Sequence, residues 1–288
     1  MIEKLKSNKK LRFIIISAIY ILATFSAIGI YNLVLLPWWL SLLIADVFAT
    51  IVVFGFSVLF KNASVYDPYW SVAPIVILIL YAIGKDFSVS RLLIIIAVLF
   101  WGIRLTLNWA YNFGSFEYQD WRYTMLSEKT GKLYPLVNFV GIHLVPTLVV
   151  YLCCIPVVYA FKNDLKTNVW SIIFIIVSFL AVILQGTADI QMHKYRKNKT
   201  TPFIRTGLWK YSRHPNYLGE ILMWWGIGLC VFSMTLKWYL LIGAIANTLL
   251  FLFVSIRMAD KRQSRKEGFS EYKKETWMLL PIPKFIKK

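Results

Sequence analysis

Acidic residues are scarce in this chain: 14 Asp and Glu stand against 32 Lys and Arg in 288 residues, and charge of either sign makes up only 16%. Soluble domains average about 25% charged residues, so the composition excludes an ordinary water-soluble globule. Cysteine is nearly absent. Cys153, Cys154 and Cys230 all fall in apolar runs without metal-ligand spacing, which argues against a disulfide framework or a zinc site; packing is their expected role, and no metal is expected. No repeat of 20–50 residues is visible, nor an inverted pair of broken hydrophobic segments of the kind transporters use. No Gly/Ser-rich linker sets off a soluble domain, so 1–288 reads as a single integral membrane domain.

What the chain has in excess is apolar sequence: 58% of residues are hydrophobic and the mean hydropathy is +0.61. The excess is gathered into runs long enough to cross a hydrocarbon core about 30 Å thick. Spans are expected near 11–33, 36–60, 71–84, 90–111, 137–160, 168–190, 217–236 and 238–258. The fold class is therefore an all-α transmembrane helical bundle of about eight helices, or seven if the short 71–84 stretch is re-entrant. The first span follows a lysine-rich start, as a signal peptide does, but its length and lack of a small-residue cleavage site point to a retained helix. Trp38, Trp39, Trp70, Trp101, Trp109, Trp170, Trp224, Trp225 and Trp238 lie near span ends and read mostly as interfacial anchors.

With the N-terminus inside and eight crossings, 26 of the 32 Lys and Arg fall on segments assigned inside and five on loops assigned outside, while Arg104 lies within a span. That is the bias of the positive-inside rule. It accounts for the net charge of +18 without a nucleic-acid partner, because the charge follows topology and forms no separate basic domain. Both termini are expected in the cytoplasm, and the short loops and small size point to a bacterial inner membrane. Membrane lipids and a lipid-like small molecule are the expected partners; no obligate protein partner is expected.

Charged groups inside spans are costly and mark candidate sites. Asp46, Arg104, Asp189 and Glu220 are such groups. Asp46 fits a hydrogen bond between helices at least as well as a functional role. The densest cluster runs from Gln185 to Glu220. Gln185 and Asp189 share a helical face that His193 and Arg196 continue. Gly207-Leu208-Trp209-Lys210-Tyr211-Ser212-Arg213-His214-Pro215-Asn216-Tyr217-Leu218-Gly219-Glu220 then leads into a span. Pro215 suits the first turn of that helix and Ser212 a cap just upstream. Arg213, His214, Asn216 and Tyr217 thus stand at a helix start, where free amides favour an anion. Lys194, Lys197, Lys199 and Lys210 add positive potential. Three smaller clusters are Glu117-Tyr118-Gln119-Asp120-Trp121-Arg122-Tyr123, which reads equally as an amphipathic surface segment with an internal Asp–Arg pair; Tyr66-Asp67-Pro68-Tyr69-Trp70, where an acid sits among aromatics and can serve as a proton donor; and Arg257-Met258-Ala259-Asp260-Lys261-Arg262, a basic stop in which Arg257 and Asp260 face one way.

Asp120-Trp121-Arg122-Tyr123, the Gln185…Asp189…Arg196 helix end and the Gly207–Glu220 stretch together resemble the DUF1295 branch of the steroid 5-alpha-reductase-like membrane proteins. Tyr272…Leu280-Pro281-Ile282-Pro283 resembles that family's tail, so the likeness covers roughly 60–285. The Arg-His-Pro-x-Tyr piece is shared with isoprenylcysteine carboxyl methyltransferases. The resemblance implies a helical bundle that holds NADPH from the cytoplasmic side and reduces a carbon–carbon double bond conjugated to a carbonyl in a lipid or steroid-like substrate. It implies that Asp189, Arg196, Tyr211, Asn216, Glu220 and Arg257 surround the cofactor; Gln185, Arg213, His214, Tyr217, Asp260 and Lys261 join them by their chemistry. The reductases place a glutamate and a tyrosine on the substrate carbonyl. Here the nearest matches are Asp67 and Trp101, which leaves the tyrosine role to Tyr69, Tyr111 or Tyr123; Asp67, Tyr69 and Tyr123 are taken as the catalytic set. Two alternatives stay open: an S-adenosylmethionine-dependent methyltransferase, which would not need several arginines for phosphate, and a lipid-binding member of the fold without catalysis.

Overall fold

The computed structural model describes residues 11–284. The basic residues expected to hold the N-terminus inside, from Lys4 to Lys10, lie outside the described residues. Among those described, eight helical segments are long and apolar enough to cross a membrane, as an integral membrane protein requires.

The first two spans are uninterrupted helices, α1 (Arg12–Leu33) and α2 (Trp38–Phe60). At 22 residues α1 is about 33 Å long. Pro37 precedes α2 and supplies the extended backbone from which it starts, while Lys61 ends it in the left-handed region. The third span is short: a 3-10 turn at Ala63–Val65, then α3 (Tyr69–Ala82), only 14 residues or about 21 Å. Next come α4 (Val89–Asn112) and a fifth span that differs from expectation. The stretch 112–136 reads as a loop in the sequence, yet α5 (Trp121–Thr130) forms there because Asp120 caps it by accepting from the Arg122 amide. A seven-residue π-helical stretch, Asn138–Leu144, then feeds α6 (Val145–Lys162).

α7 (Val169–Lys197) opens with a capping box between Asn168 and Ser171 and runs past the apolar span to a last turn carrying Lys194, Arg196 and Lys197, cations that suit a helix C-terminus. α8 (Pro215–Thr235) has Pro215 as its first residue, as expected; His214 rather than Ser212 is its cap residue. The Ser212 hydroxyl instead accepts from the His214 amide and donates to Leu279 O. Leu236, in the left-handed region, and a 3-10 turn separate α8 from the last span, α9 (Ile242–Leu250), a π-turn and α10 (Ile256–Gln263). A short α11 (Phe269–Glu275) precedes the tail.

The chain divides into two compact units. One holds residues 11–84 and 102–158, the other 85–101 and 159–284. The core of the first gathers residues of α1, α2 and α3 with Phe113 and Phe116. Large side chains such as Phe25, Leu33 and Leu107 are exposed on the helix surfaces, which suits contact with lipid.

Candidate functional site

In the second unit, α7 and α8 approach closely because glycines leave room. A β-carbon on Gly219 would lie 2.6 Å from Ala181 O, and one on Gly226 would lie 2.6 Å from Phe174 O. This contact sets Gln185 beside Glu220. The Glu220 carboxylate accepts from Trp101 Nε1 (2.8 Å), Gln185 Nε2 (2.9 Å) and Trp224 Nε1 (3.0 Å). Trp101 and Trp224 are therefore not interfacial anchors: both are buried, packed edge to face, and serve as donors to an acid at membrane depth. Gln185 is buried and its Oε1 has no hydrogen-bond partner; Asn216 Oδ1, one turn before Glu220, is in the same state.

Arg213 and His214 converge on Asp260 of α10. His214 Nε2 is 2.8 Å from Asp260 Oδ1 and Arg213 reaches Oδ2 at 3.4 Å. His214 also stacks on Tyr217, with ring centroids 5.2 Å apart. The rest of the Arg213 guanidinium faces inward: it donates to Thr276 O at 3.1 Å and Lys273 O at 3.3 Å. The tail is bound to the same motif elsewhere. Trp277 N donates to Tyr211 O, Arg213 N donates to Trp277 O, and the Tyr272 hydroxyl donates to Trp209 O. Burial pushes the Tyr272 phenol above its ordinary range. The tail resemblance noted in the sequence thus has a structural content, because residues 272–279 fasten the Trp209–His214 turn.

Asp189 is half-buried on α7, and Arg196 and Lys197 are exposed at its end; Arg257 and Lys261 are exposed on α10, with the Arg257 guanidinium over the Phe253 ring, and Lys210 lies over the Tyr211 ring. Burial and the neighbouring Lys199 and Arg262 hold the Lys266 ammonium below its usual range. The structure brings Gln185, Asn216 and Glu220 into one polar patch and Arg213, His214, Tyr217 and Asp260 into another.

The first unit contains a cavity of about 240 Å³ between α1, α2 and α3. Alanines on all three helices (Ala23, Ala27, Ala45, Ala49 and Ala73) leave the space. Its lining is mostly apolar, and among its polar members are Asp46 and Tyr69. Tyr69 Oη donates to Asp46 Oδ1 at 2.6 Å. Behind them the Thr50 hydroxyl donates to Asp46 O and meets Thr147 Oγ1 at 2.8 Å, which in turn lies 2.8 Å from Tyr66 Oη. Asp46, which the sequence left between structural and functional readings, is the carboxyl that lines this cavity.

Asp67 and Tyr123 are also brought together, by a 2.5 Å hydrogen bond from Tyr123 Oη to Asp67 Oδ1, but neither lines that cavity. They belong to a set of bonds that fastens 113–123 to 62–67. Asn62 Nδ2 donates to Phe116 O and Tyr118 O, Ala63 N donates to Gln119 Oε1, and Asp120 N donates to Ser64 Oγ. The internal Asp120–Arg122 pair is present at 2.8 Å.

Comparison with known proteins adds a family but no activity. The family model described as a protein of unknown function (DUF1295) matches residues 53–276. An uncharacterised protein of Schizosaccharomyces pombe, C594.04c, is 30% identical over 219 residues, which is 65% of this chain and 62% of that protein. No solved structure matches.

Proposed function

The chain belongs to the DUF1295 family, and from that premise we propose that it is a membrane oxidoreductase that uses NADPH to reduce a double bond conjugated to a carbonyl in a lipid or steroid-like substrate. The observation that carries the reading is the carboxyl–phenol pair, Asp46 and Tyr69, set in an otherwise apolar cavity among membrane helices. Apolar lining with a few convergent polar groups is how a small-molecule pocket orients its ligand. A hydroxyl donor backed by an acid suits a carbonyl oxygen on which charge develops.

The residues of the second unit fit the cofactor. Gln185 Oε1 and Asn216 Oδ1 are buried acceptors without donors, and buried polar atoms in native proteins find partners. A dinucleotide bound in this unit would offer N–H and O–H donors of the kind they lack. Arg196, Lys210, Arg257 and Lys261 offer cations for phosphate groups. When bound, NADPH would supply a hydride to the carbon beta to the carbonyl. Tyr69 would turn its hydroxyl from Asp46 to the substrate oxygen and give up its proton there as the electron pair arrives, leaving an enol, and a protonated Asp46 carboxyl would return a proton to the Tyr69 oxygen. Transfer of that proton from the enol oxygen to the alpha carbon then gives the saturated carbonyl compound, so that hydride and proton are both accounted for. Apolar walls keep competing water from the pair.

The test is thermal stability of the detergent-solubilised protein with NADPH, NADH or S-adenosylmethionine. A ligand at 100 times its dissociation constant adds about 2.7 kcal/mol. Stabilisation by NADPH above NADH is expected. Stabilisation by S-adenosylmethionine alone would replace the reductase by a methyltransferase, and no response to any of the three would leave a lipid-binding protein.

A further inference from the structure

The tail that fastens the Trp209–His214 turn exposes a run of apolar side chains. Trp277 is 39% exposed, Met278 37%, Leu280 48% and Ile282 50%. Neighbouring large apolar groups left open in this way mark contact with a partner or a membrane. The backbone of the same segment is committed to the protein. Trp277 N donates to Tyr211 O at 2.9 Å and Arg213 N donates to Trp277 O at 3.0 Å, while Ser212 Oγ lies 2.7 Å from Leu279 O and 3.5 Å from Met278 O. Pro281 and Pro283 carry no N–H, so two positions have no donor to satisfy where water is scarce.

The level of this segment follows from the helix it is bound beside. α8 starts at Pro215, and its 21 residues run about 31 Å, close to the thickness of a hydrocarbon core. Its first turn therefore stands at the edge of that core. Ser212 is three residues earlier, at most about 10 Å away, and headgroups fill the next 5–7 Å or so. The tail, bound to 211–213, stands at headgroup level. Trp suits that layer, where its ring has both phases in reach. Cations flank the apolar groups: Lys273 and Lys274 are exposed on α11, and the Lys284 ammonium is 5.4 Å from the centroid of the Trp277 ring. Glu271 and Glu275 are exposed on the same helix, and Glu275 faces Arg205 at 3.9 Å.

We infer that residues 277–282 form a foot that rests on the bilayer the chain spans. Trp277, Met278, Leu280 and Ile282 enter the headgroup–acyl boundary, and Lys273, Lys274 and Lys284 meet anionic lipid headgroups. The bilayer fits better than a second protein because the segment already stands at its surface and sets cations beside apolar groups, the combination an anionic interface attracts. Since the same residues fasten the Trp209–His214 turn, the membrane surface braces that turn. The inference does not depend on the reductase reading.

The experiment is fluorescence quenching on the full chain in lipid nanodiscs, which leave both faces open to water. Cys153, Cys154 and Cys230 are buried, so a thiol-reactive fluorophore reports an introduced cysteine. Leu280→Cys and Ile282→Cys probe the foot. Thr200→Cys is the control, because α7 runs about 43 Å and carries the residues past its end clear of the headgroups. The quenchers are iodide in the water and a nitroxide attached high on a lipid acyl chain. Both foot probes should be quenched by the nitroxide lipid, and several-fold less by iodide than the control. Protection from iodide should rise when phosphatidylglycerol is added to phosphatidylcholine, and fall when Lys273→Gln and Lys274→Gln are combined. Iodide quenching of the foot probes equal to the control would overturn the inference. Protection from iodide without nitroxide quenching would also overturn it, by showing that protein covers the tail. Protection indifferent to phosphatidylglycerol would overturn the role given to the lysines.

Discussion

Two aspartates in the first unit are each held by a tyrosine hydroxyl, yet their surroundings have little in common. Asp46 and Tyr69 border a cavity whose other walls are mostly aliphatic, with the hydroxyls of Thr50, Thr147 and Tyr66 lying behind. Asp67 and Tyr123 sit within a dense set of bonds between 62–67 and 113–123, with Arg122 held to Asp120 close by. The chemical groups are the same. The first pair borders a cavity, and the second lies where two chain segments are joined. A carboxyl group acquires a catalytic role from what can reach it, and residue type alone does not separate the two pairs.

The largest effect therefore falls on the first pair. Asp46→Asn and Tyr69→Phe should each lower NADPH-dependent enone reduction by about 10²–10³-fold, as loss of a transition-state donor does, with the melting temperature kept. Asp67→Asn, assayed at a temperature where it is folded, should keep turnover within about threefold, since it removes no donor aimed at the ligand. Steady-state NADPH consumption in detergent or nanodiscs is the measurement. If Asp67→Asn falls as far as Asp46→Asn, the roles of the two pairs are reversed.

Sequence patterning located the spans well, because twenty apolar residues in a row have few other structural outcomes. It also located the Gln185–Glu220 cluster, because charge within a span is rare. It could not tell which acid would meet which tyrosine. Asp67 stands one residue from Pro68-Tyr69 and attracts notice by proximity, whereas Asp46 and Tyr69 are 23 residues apart on different helices. The cavity left no signature either: alanines that open a space between helices look the same as alanines that pack them together. Trp101 and Trp224 read as belt residues because their bonds to Glu220 span 119 and 4 positions, and the longer of these has no periodicity to betray it. The fastening of the tail to Tyr211 and Arg213 was legible only as a resemblance.

The second pair should announce itself in stability. Tyr123→Phe leaves the Asp67 oxygen without its donor, and a buried group stripped of a partner costs about 1–3 kcal/mol. Asn62→Ala removes the donor to both Phe116 O and Tyr118 O and should cost about as much. Thermal melting in detergent is the check, read beside turnover at a permissive temperature. A loss of activity at full stability in Tyr123→Phe would show that this pair faces the substrate after all.

The smallest effect tests the cavity itself. Ala27 lines the space between α1, α2 and α3, so Ala27→Leu adds methyl groups where there is room for them. Ala181 is buried on α7, where its carbonyl lies against Gly219 of α8, and Ala181→Leu must push that contact apart. Overpacking a filled interior costs about 1–3 kcal/mol, so Ala181→Leu should melt earlier. Ala27→Leu should change stability by about 0.5 kcal/mol or less. Its effect should fall on the ligand, raising KM roughly tenfold for a space-filling substrate while kcat is kept, because the added groups obstruct binding without touching Asp46 or Tyr69. Should Ala27→Leu instead destabilise the protein as much as Ala181→Leu does, the space beside Asp46 is closed in solution and cannot admit a substrate.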